Sequence, residues 1–236
     1  VDEGEIDMEG DTAPEPDLVP ESTHAAVVDL LGALSYAQLS GFEALSAAAQ
    51  LTPQLATKVS LARMAAAMFE RFEQVGGRLT VLGAQQTVAM APFVPAIDSF
   101  HERTRPSDWL EALVRAYVGD GIVRDFYTEM AAHVDAASRD FIVGLLGDAG
   151  AGDTMVEIVT SAIRSDPPRS HRLALWARRI MGEAVQQTQS VAVERASLTA
   201  LLLGGEPGSD LGEVGRMFAR IGVAHEARMD RLGLDA

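Results

Sequence analysis

The 236-residue chain contains no cysteine, and its only lysine, Lys58, stands beside eighteen arginines. The absence of cysteine excludes a disulfide scaffold, a zinc–thiolate site and a thiol nucleophile. We find no segment that we judge long and apolar enough to cross a membrane, and no signal peptide. These absences predict a cytoplasmic protein without a membrane partner.

The net charge of −15 is unevenly distributed along the chain. Residues 1–22 contain nine acidic side chains, three prolines and no basic side chain. The other residues carry 19 basic and 25 acidic side chains, a net charge of only −6. A stretch this acidic and proline-rich buries too little apolar surface to offset its ordering entropy. We therefore predict an acidic flexible tail over 1–22, serving either as a solubilising leader or as a docking peptide for a basic partner, and one helical domain over 23–236.

Within that domain the apolar residues recur with the 3.6-residue period of an amphipathic helix, and no stretch alternates as a strand does. Pro53 favours a helix start, and Gly76 with Gly77 favours a helix end. The pattern predicts helices over 24–49, 53–75, 107–133, 136–149, 170–203 and 210–232, with short helical pieces over 79–104 and a bend or break at 150–152. Long helices with one longer crossover predict an all-α, ferritin-like antiparallel four-helix bundle with additional C-terminal helices.

Bundles of this kind can hold two iron ions when their inward positions supply a particular ligand set. One helix of each pair gives a Glu, and the other gives Glu-x-x-His, whose i, i+3 spacing places both ligands on one face. That pattern is intact nowhere in the chain. The five histidines, His24, His101, His133, His171 and His225, are scattered, and we interpret each as a surface or helix-end residue.

Several separate segments nevertheless resemble one family in order along residues 24–234. They are Ala26 to Tyr36 with Gln38 and Leu39, Pro106 to Glu111, Tyr117 to Gly121, Leu173 to Arg179, and Val214 to Phe218. Together they resemble the actinobacterial ferritin-like proteins similar to the tRNA hydroxylase MiaE. The resemblance implies a ferritin-like fold and, for members with intact ligands, an oxygen-dependent di-iron hydroxylase acting on a modified tRNA adenosine.

The metal-ligand positions carried over from that resemblance are largely lost here. Gln38 replaces the first-helix Glu, and Met68 with Arg71 replaces the second-helix Glu-x-x-His; a register one turn earlier places Ala65 and Met68 there instead. Asp120 keeps the third-helix carboxylate. In the fourth helix the pattern becomes Asp148 and Ala151, so both histidines are absent.

Three readings of these positions remain open. Arg71 can neutralise the surviving carboxylates in a metal-free cluster, a single-metal site can remain, or a shifted register leaves Arg71 on the surface. We favour a non-catalytic protein without a metal or other cofactor, acting through a protein partner or a homodimer contact on the C-terminal helices. The alternative is a di-iron or single-metal oxygen-dependent hydroxylase, with iron as cofactor. The arginines at 169, 172, 178 and 179 make tRNA binding possible, but the overall acidity does not favour it.

Overall fold

A computed structural model describes residues 21–147, 151–202 and 211–235 of the protein. Within these ranges the chain is helical throughout and contains no β-strand. The acidic tail predicted over 1–22 lies outside the described residues except for Glu21 and Ser22, which belong to the first helix. The prediction of an all-α, ferritin-like architecture is confirmed.

The helices follow one another with short connections. In chain order they are α1 (Glu21–Leu51), α2 (Leu55–Val81), α3 (Gln86–Met90), a 3₁₀ turn (Ala91–Phe93), α4 (Val94–Arg103), α5 (Trp109–Ala131), α6 (Ala136–Leu145), α7 (Ala151–Ser165), α8 (Arg169–Glu194), α9 (Ala196–Leu202) and α10 (Leu211–Leu232). The short pieces α3 and α4 form the connection predicted over 79–104.

The bundle is organised around α5. Helices α1 and α2 form a tightly packed antiparallel hairpin, and α5 packs against α1 on one side and α8 on another. Helices α6 and α7 both contact α5, and α7 also reaches α2, so these two short helices follow the course predicted for the fourth long helix. The C-terminal helix α10 packs on α5, α7 and α8. Helix α5 therefore contacts five other helices.

Two helix starts depend on aspartate caps. The Asp108 side chain accepts hydrogen bonds from the backbone N–H groups of Leu110 and Glu111, both at 2.9 Å, and so satisfies free donors at the start of α5. Asp135 accepts from the Ser138 N–H at 2.9 Å in the same way. Both helices thus begin where their caps place them.

The predicted end of the second helix at Gly76–Gly77 is wrong, because α2 continues to Val81. Gly76 serves a close approach: a Cβ there would lie 2.4 Å from Oε1 of Gln86, whose amide donates to the Ser35 hydroxyl at 2.8 Å. The helix ends instead before Gly83, which has φ +74°, a conformation that glycine adopts without steric cost.

Two other predicted helices are shorter than expected. Helix α6 ends at Leu145 rather than at 149, and α7 begins at Ala151, so Ala151 and Gly152 belong to a helix rather than to the bend or break predicted over 150–152. The helix predicted over 170–203 is split at Arg195, whose backbone is extended (φ −122°, ψ 94°). There the Arg195 guanidinium binds the Asp29 carboxylate at 2.6 Å, and Ser197 donates to the same carboxylate. The chain is therefore linked to α1 at the residue where the helix is interrupted.

The expectation about membrane spans needs correction. One helical segment, Thr23–Leu51, is long and apolar enough to cross a membrane by length and composition, with a mean hydropathy of 1.3. Half of its most apolar window is buried inside the bundle, where Leu30, Leu31 and Leu34 are almost fully enclosed. A core helix of a globular domain passes the same test, so this segment is weak support for a membrane span.

Candidate functional site

The centre of the bundle contains a carboxylate held between two guanidinium groups. Arg71 of α2 donates from Nη1 to Oδ1 of Asp120 at 3.3 Å, and Arg124 of α5 donates from Nη2 to Oδ2 at 2.9 Å. The Asp120 side chain is only 15% exposed and that of Arg71 only 13%. Each carboxylate oxygen therefore already has a cationic partner. The structure brings together the two residues that the Arg71–carboxylate hypothesis requires.

Two further positions carried over from the resemblance lie on one cavity together with Asp120. Gln38 is 1% exposed, and its Oε1 has no hydrogen-bond partner among the described residues. Met68 packs its sulfur against Gly41 on α1, where an added Cβ would approach to 2.5 Å. Ala65, from the alternative register, is buried in the apolar core. Asp148 and the side chain of Ala151 lie outside the described residues.

These residues do not fit a di-iron centre. Such a centre needs about four carboxylates and two imidazoles around two adjacent cations. Among the described residues, no group of three or more His, Cys, Asp or Glu side chains could hold a metal ion. The carboxylate at the expected place, Asp120, faces two permanent cations instead, and a neutral amide and a thioether are poor ligands for iron.

A slender apolar cavity of about 210 Å³ runs along the bundle beside this cluster. Its walls come from α1, α2, α4, α5, α8, α9 and the 3₁₀ turn, and its lining includes Phe93, Phe100, Phe126 and Met130. The cavity was not predicted from the sequence, although the sequence of α1 contains a pattern that is compatible with it. Small residues recur at helical spacing along one face of that helix, at Ala33, Ala37, Gly41 and Ala44, and each lines the cavity.

At one end the cavity meets a second, more polar cleft of about 370 Å³. Ala44, Ala112, His101 and Arg115 line both spaces and so form the junction between them. Arg115 donates from Nη1 to the backbone carbonyl of Thr104 at 3.0 Å. In the part of the chain that the structure covers, no carboxylate lies within ion-pair distance of this guanidinium.

The electrostatics of the junction follow from burial. Desolvation lowers the pKa of the Arg115 guanidinium to about 10, so it remains charged at neutral pH. Desolvation, and then the positive charge of Arg115, lower the pKa of His101 to about 4, with Asp98 acting weakly in the opposite direction. At neutral pH the junction therefore presents a neutral imidazole and one partly buried cation.

Another buried charged group lies between α5 and α10. Arg228 and Asp125 form an ion pair at 2.7 Å, and the nearby His225 is only 6% exposed. Burial, followed by the charge of Arg228, lowers the pKa of His225. Its prediction as a surface or helix-end residue is wrong, because α10 turns this position towards α5. Neither ring nitrogen has a hydrogen-bond partner among the described residues.

The arginines that raised the possibility of tRNA binding are occupied by other contacts. Arg169 binds Asp166 at 2.8 Å, and Arg172 binds Asp108 at 2.5 Å and Glu111 at 2.7 Å. Arg178 donates to the backbone carbonyl of Asp235, and Arg179 lies over the ring of Trp176. Arg172 links α8 to the start of α5 and Arg178 links it to the C-terminal residues, whereas Arg169 and Arg179 contact residues three positions earlier in the chain.

Comparison with known proteins agrees with this helical architecture. The family model of the actinomycete ferritin-like domain matches residues 21–205, and the chain therefore belongs to that family. No curated protein matches the sequence. Among solved structures, one similar chain is protein 19 with aldehyde deformylating oxidase activity from Synechococcus. The likeness has a TM-score of 0.67 at 15% identity and covers 92% of this chain and 93% of the other. At that identity the likeness shows a shared fold.

Proposed function

We propose that this protein is a metal-free member of the ferritin-like fold that acts by binding rather than by oxidation. The observation that carries the proposal is the pairing of Asp120 with Arg71 and Arg124 at the centre of the bundle. Two guanidinium groups there satisfy the carboxylate that a metal would otherwise require. The MiaE-like resemblance accordingly indicates ancestry of the bundle rather than retained hydroxylase activity on tRNA.

The charge balance supports this conclusion. Two ferrous ions bring four positive charges, which intact centres balance with about four carboxylates. The described positions supply one carboxylate, Asp120, together with the cationic Arg71 and Arg124. Positive charges repel one another strongly in a weakly polar interior, so a metal would have to displace both arginines first. The alternative of an oxygen-dependent enzyme, suggested by the activity named for the Synechococcus protein, requires that displacement.

Iron analysis tests the proposal directly. We expect negligible iron by elemental analysis in protein purified without chelator, and no change in absorbance when oxygen follows anaerobic ferrous loading. The combined variant Gln38→Glu, Met68→Glu, Arg71→His and Ala151→His should recover iron binding, because it restores the missing acids and imidazoles. The same variant with Asp120→Asn added serves as the matched control and should bind less. Near-stoichiometric iron, about two ions per chain, in the unmodified protein would overturn the proposal.

A partner contact on the C-terminal helices is part of the same proposal for a cytoplasmic binding protein. Most of the apolar residues that suggested it, including Leu173, Trp176 and Ile180, are buried within the chain and cover its own core. Leu175 of α8 and Val223 of α10 remain 65% exposed. We expect a dimer in light scattering, weakened by Leu175→Ser but not by the distant Val143→Ser. A monomer at high concentration contradicts the homodimer.

A further inference from the structure

We propose that the apolar cavity binds a single-chain aliphatic carboxylic acid, with its carboxylate on Arg115 and its hydrocarbon chain along α1 and α5. This inference deepens the proposed binding function and rests on it. Its test is nevertheless separate, since acid binding is measured without iron. Three observations carry it: the length of the cavity, the unpaired cation at its junction with the cleft, and the cleft beyond that cation.

The shape of the cavity selects a long, narrow ligand. On α5 its wall extends from Ala112 to Met130, and on α1 from Leu30 to Leu45. At 1.5 Å of rise per residue, these stretches correspond to about 27 Å and about 22 Å of helix. The lining is mostly aliphatic and aromatic, so burying a hydrocarbon chain there is favourable. A compact or multiply charged ligand would leave much of the length unfilled.

The junction selects the head group. Arg115 is a partly buried cation that has no carboxylate partner among the described residues, and burial of an unpaired charge is costly. A carboxylate would offset that cost, because a guanidinium binds carboxylates through paired, charge-assisted hydrogen bonds. The neutral ring of His101 beside it can accept or donate one further hydrogen bond.

The orientation follows from the other charges in the cavity. Asp120 lies five residues after Arg115 on α5, about 7.5 Å further along the helix axis. A carboxylate placed at that depth would meet a residue of its own sign, although Arg71 and Arg124 compensate Asp120. At Arg115 the head group instead adjoins the polar cleft, whose wall carries Arg105 as well as the carboxylates of Glu43 and Asp98. Asp98 already accepts a hydrogen bond from the Tyr36 hydroxyl at 2.7 Å. The charged end therefore lies at the cleft and the chain points inward.

The experiment measures binding of palmitic acid to the full, delipidated chain by displacement of the fluorescent fatty acid cis-parinaric acid. Hexadecanol, which has the same chain length without the charge, is the comparison ligand. We expect saturable binding of palmitic acid and binding of hexadecanol at least about tenfold weaker, the size of one charge-assisted hydrogen bond. Arg115→Gln should remove this preference by weakening palmitic acid alone, and Arg115→Lys should restore part of it.

A second variant tests the position of the chain without touching the charge. Gly119 lines the cavity, and a Cβ added there meets no atom within 4 Å, so Gly119→Leu fills the space with little strain on the backbone. It should abolish binding of both ligands. Gly182→Leu on the exposed face of α8, where a Cβ also meets nothing, is the matched control and should bind normally.

The outcomes are decisive in both directions. Equal affinities for acid and alcohol, no saturable binding of palmitic acid, or unchanged binding in Gly119→Leu would each overturn the proposal. If Arg115→Gln does not fold, the Arg115→Lys and Gly119→Leu results still decide it. Iron found in the protein with selective acid binding would contradict the metal-free function and leave the ligand site standing. If the protein contains no iron and binds no acid, the metal-free function stands and the proposed ligand site is contradicted.

Discussion

Two arginines on the same helix have opposite environments. Arg124 shares the Asp120 carboxylate with Arg71, so its charge is compensated within the bundle. Arg115, nine residues earlier on α5, has only the Thr104 carbonyl as a partner among the described residues, and it lies where a cavity meets a cleft. A compensated charge holds helices together, whereas an uncompensated one is available to a ligand. The structural centre of the bundle at Asp120 and the proposed binding site at Arg115 therefore differ in whether their arginine is compensated.

The largest effect should come from removing the shared carboxylate. Asp120→Ala leaves Arg71 buried beside Arg124 without a counter-charge, and we expect a loss of about 2–3 kcal/mol in the free energy of unfolding. Urea denaturation of the purified chain measures it. The control is Asp153→Ala, whose carboxylate pairs with Arg231 at 2.5 Å but is 72% exposed. That change should cost less than about 0.5 kcal/mol. Equal losses in both variants would show that the central cluster is not buried.

The next largest effect should be a dependence of stability on pH, caused by His101 at the junction of the cavity and the cleft. His101 has a pKa of about 4, below its ordinary 6.5, so between these values the unfolded chain binds a proton that the folded chain does not. Stability is therefore expected to fall as the pH falls from about 6.5 towards 4. We expect His101 to contribute about 1–2 kcal/mol of that loss. Thermal melts of the protein and of His101→Phe at several pH values measure it. A variant that loses stability as steeply as the unmodified chain contradicts the prediction.

A smaller loss should follow from removing one of the two central cations. In Arg71→Met the Asp120 carboxylate keeps its bond to Arg124, so only one charge-assisted hydrogen bond disappears, and the methionine retains apolar contacts. We expect a loss of about 1 kcal/mol by urea denaturation. The double variant Arg71→Met with Arg124→Met should lose more than the sum of the two single changes, since it leaves Asp120 unpaired. Simple additivity would argue against a shared carboxylate.

The smallest effect on stability should be at Arg115. Arg115→Met removes a buried cation that has no carboxylate partner, and it loses one hydrogen bond to the Thr104 carbonyl. These terms oppose each other, so we expect a change within about 0.5 kcal/mol, of either sign. A loss of about 2 kcal/mol or more is the size expected for a compensated charge. It would show that Arg115 is a structural residue like Arg124.

Local signals in the sequence were sufficient for much of the fold. The aspartate caps at 108 and 135 mark helix starts that depend only on neighbouring residues. The predicted start at Pro53 is two residues early, because α2 begins at Leu55 with Gln54 as its N-cap. The glycine pair at 76–77 gave a wrong helix end, because its role is to admit the Gln86 side chain from α3. The break at Arg195 was also missed, since its cause is Asp29, 166 residues earlier in the chain.

The candidate site, like the fold, was only partly predictable from the sequence. The intact iron-ligand pattern is absent from the sequence, and the resemblance to the MiaE-like proteins led to the hypothesis that Arg71 and Asp120 meet. The cavity and its junction with the cleft were not predicted, because an empty space is created by six helices and the 3₁₀ turn together. The small residues on α1 are compatible with close helix packing as well as with a void. Sequence alone could not distinguish the two.

By itself, the sequence determined the helical class, most helix starts and the absence of cysteine chemistry, since these depend on composition, periodicity and local hydrogen bonding. Only the tertiary structure decided which charges are compensated. Arg115 and Arg124 are the same residue on one helix, and their local sequence gives no measure of the distance to a carboxylate. That distance depends on how α1, α2, α4 and α8 surround α5, and on the space they leave at Arg115.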